Sequence, residues 1–173
     1  MYVLGCALLK TNGSVDDMDG WSWIHDAEKC GSYPAGVMLA RKLLDNFNNN
    51  IRGDIRIRFF NYLEAGLDAK FPPSCYYMAL LLAGEGDIEE AFHLFKNAAE
   101  KKYPPAQYEL AQMYWYGNDY VKQSYQRALV WGIGALANGM QDASWIVEDC
   151  QERLSWQEVR KAQEAAESKI RDV

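Results

Sequence analysis

A pattern of small residues repeats four times along the chain, and it constrains the fold more than any other feature. In each copy a small or tightly packed residue recurs fifteen positions later, at positions 20 and 35, 59 and 74, 91 and 106, and 128 and 143. The copies begin 39, 32 and 37 residues apart. Self-similarity at this period is typical of repeats built from helical hairpins, in which each hairpin buries its apolar side against the next.

The prolines mark where one helix of each hairpin begins. All five prolines lie one or two positions before the second small residue of a copy. Proline is tolerated in the first turn of a helix, because an N–H at that position has no partner within the helix. The other helix of the hairpin has N-cap residues at Asp16, Asp87 and Ser124, four positions before the first small residue. Each copy is therefore expected to contain two helices.

These signals predict an all-α fold, an α-solenoid of about four and a half antiparallel helical hairpins with a C-terminal capping helix. The first helices of the hairpins fall near 1–11, 33–46, 72–84, 103–117 and 140–153, and the second helices near 15–30, 54–69, 87–101 and 124–138. A terminal helix near 156–171 begins at a capping box formed by Ser155 and Glu158. We expect a single domain over 1–173, with repeat units at about 1–32, 33–70, 71–102, 103–139 and 140–154 and the cap at 155–171.

The charge balance argues against two common classes of partner. The chain has 18 Lys and Arg against 24 Asp and Glu, a formal net charge of −6. Residues 1–70 carry 8 basic and 9 acidic side chains, whereas residues 71–173 carry 10 and 15. Neither nucleic acid nor an anionic membrane is an expected partner of such a chain. A basic protein partner would be attracted to the second part.

The sequence offers no motif for catalysis, a cofactor or a metal, and we expect none of these. It contains no P-loop, and His25 and His93 have no Ser or Cys nucleophile at a recognisable spacing, so we interpret both as structural. The four cysteines are at least 24 residues apart, which excludes the common zinc sites and predicts free thiols in a reducing compartment. Because no apolar run is long enough to span a membrane, we expect a cytoplasmic protein, or a periplasmic one if a signal sequence precedes this chain.

In two segments of the chain, small and aromatic residues follow one another at the spacing found in a known family of repeats. They are Ala106-Gln-Tyr-Glu-Leu-Ala-Gln-Met-Tyr114, and Ala128-Leu-Val-Trp131 with the helix that follows it to Gly139. On these residues the chain resembles the Sel-one-like repeat family, relatives of the tetratricopeptide repeat. Departures from the family pattern include Lys102 in place of glycine and Gly66-Leu67 in place of paired alanines. The resemblance implies a superhelical stack that binds proteins or peptides in its groove, without a reaction of its own.

The analogy with tetratricopeptide repeats also predicts which positions line that groove. They lie three, six, nine and ten residues after the second small residue, and they hold Arg41, Asp45, Tyr77, Glu109, Gln112, Trp115, Tyr116 and Asp149. At least one aromatic of Met113-Tyr-Trp-Tyr116 should be exposed, because a helix cannot bury three consecutive side chains on one face. Tyr76, Tyr108 and Trp145 share a different phase, in which the family often has an aromatic, and we interpret them as core packing.

The function expected from this resemblance is a non-enzymatic protein-binding scaffold. Family members include adaptors, signalling scaffolds and bacterial immunity proteins, so the partner could be a secreted toxin or effector. The alternative is a secreted repeat protein with hydrolase or penicillin-binding activity, similar to a cysteine-rich branch of the family in which a disulfide closes each hairpin. Two native disulfides would favour this alternative, and four free thiols would favour the scaffold.

Overall fold

The computed structural model describes residues 63, 64, 67 and 71–171 of the chain. The chain divides into two compact units, Met1–Met78 and Ala79–Val173. The helices are α1 (Pro72–Glu85), α2 (Ile88–Glu100), α3 (Pro104–Tyr116), α4 (Tyr125–Ala137), α5 (Ser144–Arg153) and α6 (Trp156–Arg171), with a short 3₁₀ helix at Gln141–Ala143. The described part of the chain contains no strand, and the all-α repeat fold is confirmed.

The predicted helices agree closely with these elements, with one difference. The helix expected to begin near 140 starts as the 3₁₀ turn at Gln141–Ala143 and becomes α-helical only at Ser144. Leu63, Glu64 and Leu67 are helical, as expected for the helix near 54–69. The helices expected near 1–11, 15–30 and 33–46 lie outside the described residues, and the single domain over 1–173 stays a prediction.

Local side-chain chemistry sets the helix starts. The Asp87 carboxylate accepts a hydrogen bond from the Glu90 amide at 3.2 Å, and the Ser124 hydroxyl accepts one from the Arg127 amide at 3.4 Å. Each of these bonds satisfies an amide that the first turn would otherwise leave without a partner. The prolines lie in the first turns of α1 and α3, as predicted.

The helix ends depend on residues with left-handed backbone. Gly139 follows α4 with φ +96°, and Lys102 follows α2 with φ +61°. Lysine rarely adopts this conformation, because its Cβ then lies close to the backbone carbonyl. Lys102 therefore occupies a position for which glycine is the usual residue.

The repeated small residues let neighbouring helices approach one another closely. Ser74, Ala91, Ala106, Ala128 and Ala143, which define the repeat, have no exposed surface. In unit Ala79–Val173, α3 packs on α2 and α4, and α4 packs on α5 and α6. Helices α4 and α5 pack so closely that a Cβ added at position 132 of α4 would lie 3.0 Å from a methyl group of α5.

The terminal helix has the amphipathic pattern of a cap. Ala162 and Ala166 are buried on one side, while Glu164 and Glu167 are exposed. The Glu158 carboxylate accepts hydrogen bonds from the Ser155 amide at 3.0 Å and from its hydroxyl at 2.7 Å, so Glu158 closes the first turn as the capping box predicted.

Candidate protein-binding site

An aromatic cluster lies where the end of α3 meets the start of α4 and of α5. Its centre is Trp115, whose ring lies edge-on to those of Tyr116 at 4.5 Å, Trp145 at 5.3 Å and Tyr125 at 6.4 Å between centroids. Edge-to-face pairs at these separations are favourable beyond the apolar area that they bury. We call this cluster, together with Tyr108, the aromatic face.

Hydrogen bonds fix the two indoles of the aromatic face. Trp115 Nε1 donates to Asp149 Oδ2 at 2.6 Å, and Trp145 Nε1 donates to the Tyr108 hydroxyl at 3.1 Å. Both bonds join α3 to α5, which belong to consecutive hairpins. Rings held in this way lose little further conformational freedom when a partner binds them, which favours affinity.

An ion pair borders the same aromatic rings. Arg153 donates to both carboxylate oxygens of Asp149, at 2.6 Å and 3.0 Å. Its guanidinium also lies 5.8 Å from the centre of the Trp115 ring and 5.2 Å from that of Tyr125. The hydrogen bonds from Arg153, and then the bond from Trp115, lower the pKa of Asp149, so this carboxylate is ionised at neutral pH.

The exposed fraction of each aromatic side chain shows which of these rings a partner can contact. Tyr116 is 64% exposed and Trp145 is 36% exposed, whereas Trp115 is half-buried and Tyr114 is buried. The expectation that one aromatic of the run 113–116 is exposed is confirmed. Exposed Tyr and Trp side chains beside charged groups are the residues that dominate many protein interfaces.

The structure brings together three of the eight residues predicted to line the groove, namely Trp115, Tyr116 and Asp149. Tyr77 is only 8% exposed, which leaves little of its side chain for a partner to contact. Gln112 is half-buried, and Arg41 and Asp45 lie outside the described residues.

Glu109, another predicted groove residue, is a half-buried carboxylate on α3. Burial raises its pKa above the usual value for glutamate. No hydrogen bond or ion pair joins its carboxylate to another side chain within the part of the chain described here. A cationic partner group would offset the cost of its partial desolvation.

Three residues of the aromatic face, Tyr108, Tyr125 and Trp145, were not predicted to contact a partner, and one of them was interpreted wrongly. Trp145 is exposed, so the core interpretation is wrong for this residue, and Tyr108 is half-buried. Tyr125 and Arg153 had no role in the sequence prediction. A signal for Arg153 was present, because it lies four residues after Asp149, the spacing at which opposite charges meet on a helix.

His93 on α2 contacts an aromatic side chain of the loop before α4. Its Nε2 lies 2.9 Å from the hydroxyl of Tyr120, and the rings of Phe92 and Tyr120 are 5.8 Å apart. This contact holds the loop before α4 against α2. Across the described residues, no group of three or more His, Cys, Asp and Glu side chains is placed to bind a metal, and no helix is both long and apolar enough to cross a membrane.

Comparisons with known proteins bear on the fold that carries this site. The family model for the Sel1 repeat matches residues 72–103 and 104–133. Among solved structures, a protective antigen of uropathogenic Escherichia coli strains, which displays an SLR fold, is 20% identical with a TM-score of 0.79. That match covers 98% of this chain and 37% of the other, so this chain spans little more than a third of that protein.

A second solved structure is a Sel1 repeat protein from Oxalobacter formigenes. It is 19% identical with a TM-score of 0.69, and the match covers 96% of this chain and 71% of that one. At these identities the likeness shows the fold. The search of curated proteins found no match.

The helical hairpins, their buried small residues and the aromatic face between hairpins define a helical-repeat protein of the α-solenoid class. More narrowly, residues 72–103 and 104–133 match two Sel1 repeats, and the fold of the chain is similar to that of solved Sel1 repeat structures. Proteins with Sel1 repeats are in general protein-interaction scaffolds, and they are typically non-catalytic.

Proposed function

We propose that this chain is a non-enzymatic scaffold whose aromatic face binds a protein segment with basic and apolar side chains. The observation that carries the proposal is the set of exposed and oriented rings centred on Trp115, joined across two hairpins through Asp149. Apolar side chains of a partner would pack on Tyr116 and Trp145. A basic side chain would be attracted by Glu109, whose carboxylate has no ion pair within the described part of the chain.

The narrower proposal is a bacterial immunity or adaptor protein that neutralises or positions a toxin or effector. The two solved structures described above come from bacteria, and the family that this chain resembles includes bacterial immunity proteins. The acidic second part of the chain suits a basic partner. A cytoplasmic location is part of the proposal, and it is supported by the buried free thiol of Cys150.

Site-specific photocrosslinking in the native host tests the binding proposal. A photoreactive phenylalanine at position 116, on the aromatic face, should capture a discrete partner protein, because Tyr116 is the most exposed ring of that face. The matched control carries the same group at Gln163, an exposed residue of α6. A partner captured equally at both positions, or at neither, would contradict the proposal.

The immunity proposal needs a second experiment with the captured partner. Expressed alone in a bacterial host, the partner should arrest growth, and co-expression of this chain should restore it. Tyr116→Ser should weaken the protection, since it removes an exposed ring without disturbing a buried contact. If the partner has no effect on growth, the adaptor role stands and the immunity role is wrong.

A further inference from the structure

A second concave surface lies between α4 and α6, and the proposed function makes no use of it. It encloses about 370 Å³, and we call it the α4–α6 groove. The apolar part of its lining is formed by Tyr114, Val130, Trp131, Ala162 and Ala165. A volume of this size accommodates a few side chains of a ligand.

Three cations line the groove over this apolar surface, and we call Arg127, Lys161 and Lys169 the groove cations. The guanidinium of Arg127 lies 5.5 Å from the centre of the Tyr114 ring, and the ammonium of Lys169 lies 4.6 Å from that of Trp131. These contacts hold both charges beside the groove.

The groove cations differ from their neighbours in having no ion pair with a carboxylate within the described part of the chain. Elsewhere on α6, Arg160 pairs with Glu164 at 3.3 Å, and Arg171 pairs with Glu167 at 2.6 Å. The paired cations lie outside the lining that surrounds Trp131. Positive charge that faces the groove is therefore left available to a ligand.

The single carboxylate in the lining is already engaged. Glu158 accepts hydrogen bonds from Ser155 and, at 2.9 Å, from Gln126 Nε2. The bonds from Ser155, and to a smaller extent the bond from Gln126 and the charge of Lys161, lower the pKa of Glu158, so it remains ionised as the helix cap. Three cations against one carboxylate leave the groove positive on a chain whose net charge is −6.

The spacing of the groove cations selects the kind of ligand. Lys161 and Lys169 are eight residues apart on one helix, which at the α-helical rise separates them by about 12 Å. One carboxylate cannot reach both. In an extended peptide, side chains four residues apart lie on the same face at about 13 Å. We propose that the α4–α6 groove binds an extended acidic peptide segment, with two carboxylates flanking an apolar side chain that contacts the groove floor.

Nuclear magnetic resonance titration of the full ¹⁵N-labelled chain tests this proposal. The probe is the blocked peptide Glu-Val-Leu-Val-Glu, in which both carboxylates and the leucine share one face when extended. Saturable shifts are expected at the Trp131 indole and at the amides of Lys161 and Lys169, and they should weaken as salt is raised. The uncharged peptide Gln-Val-Leu-Val-Gln and the single carboxylate of octanoate serve as ligand controls.

Two charge reversals on α6 provide the matched protein controls. Lys161→Glu should weaken binding of the acidic peptide about three- to tenfold, while Arg160→Glu, outside the groove, should change it less than about twofold. Both positions are exposed, and thermal melts monitor the fold. The proposal is overturned if the peptide causes no saturable shift at the groove, if both reversals weaken it equally, or if the glutamine peptide or octanoate binds as tightly at the same residues.

Discussion

The Lys102 ammonium donates a hydrogen bond to the carbonyl oxygen of Ile170 at 2.8 Å, although the two residues are 68 positions apart. The bond joins the turn between α2 and α3 to the last turn of α6. Carbonyls at a helix C-terminus have no partner within the helix and carry partial negative charge, so a cation is favourable there. Lys102 thus stabilises the end of the cap, although its own backbone is left-handed.

Lys102→Met should destabilise the fold by about 1 kcal/mol, because it removes the bond to Ile170 and keeps the left-handed backbone. Lys102→Gly should be close to neutral, since it relieves about 1 kcal/mol of backbone strain while losing the same bond. Urea unfolding of both variants measures the difference. Lys122→Met, at an exposed site, should have little effect, and a glycine variant less stable than the methionine variant would contradict the account.

Gly132 and Gly84 should respond in opposite ways to alanine. A Cβ at 132 would lie 3.0 Å from Val147 Cγ2, so Gly132→Ala should cost about 1 to 3 kcal/mol through overpacking. At Gly84, near the end of α1, a Cβ would meet no atom within 4 Å, so Gly84→Ala should stabilise the helix by up to about 1 kcal/mol. Thermal unfolding separates the two, and equal shifts in Tm would show that α4 and α5 are not in such close contact.

A buried amide links three helices and predicts a coupled pair of residues. Gln107 Nε2 donates to the Ala99 carbonyl at 3.2 Å, and its Oε1 accepts from Asn138 Nδ2 at 2.9 Å. Gln107→Leu should therefore cost about 1 kcal/mol, because it removes the bonds to Ala99 and Asn138, while the Ala99 carbonyl still accepts from the Lys102 amide at 2.9 Å. Asn138→Ala should cost less in the Gln107→Leu background than alone, and strict additivity in a double-mutant cycle would show that the two side chains do not interact.

The pKa of Asp149 should report on the aromatic face. Because its folded pKa is lowered, Asp149 adds stability above the pKa of the unfolded chain, and this stability is lost as the pH falls through the folded pKa. Arg153→Met should raise the pKa of Asp149 most, and Trp115→Phe should raise it by a smaller amount, since the bonds from Arg153 contribute more. Titration of the side-chain carboxyl by NMR measures both. No change in the Trp115→Phe variant would mean that the indole bond is not formed in solution.

Cys150 should react slowly with thiol reagents in the folded protein. Burial, with a smaller contribution from the neighbouring Asp149, raises the pKa of its thiol to about 11. At pH 8 roughly one thiol in a thousand is then ionised, and the thiolate is the reactive form. Alkylation followed by peptide mapping should find Cys150 unmodified in buffer and modified in urea. Rapid modification in buffer would show that the thiol is accessible.

The helices from 72 onward were predictable because their signals are local. Prolines in first turns, N-cap side chains and the buried small residues act within a few positions of the chain, and each appears where the sequence placed it. The candidate binding site was only partly predictable. The position of Trp145 within the repeat predicts which side of its helix the residue occupies. The exposure of Trp145 depends in addition on whether another helix covers that side. The same limit applies to Tyr77, which was predicted to line the groove and is buried.

The hydrogen bond from Trp115 to Asp149 joins two consecutive hairpins. The aromatic face therefore exists only where these two hairpins meet, and neither hairpin contains the whole face. Repeat arrays grow when a hairpin is duplicated and inserted beside its parent. Tyr108 and Trp145 are 37 residues apart and occupy equivalent positions in consecutive hairpins, and the same spacing separates Gln112 from Asp149. If the hairpin from 104 to 140 were duplicated, Gln112 of the copy would therefore occupy the position that Asp149 has now. The new junction would have aromatic rings without the carboxylate that orients the indole. Lengthening this array would therefore extend the solenoid without multiplying its candidate binding site.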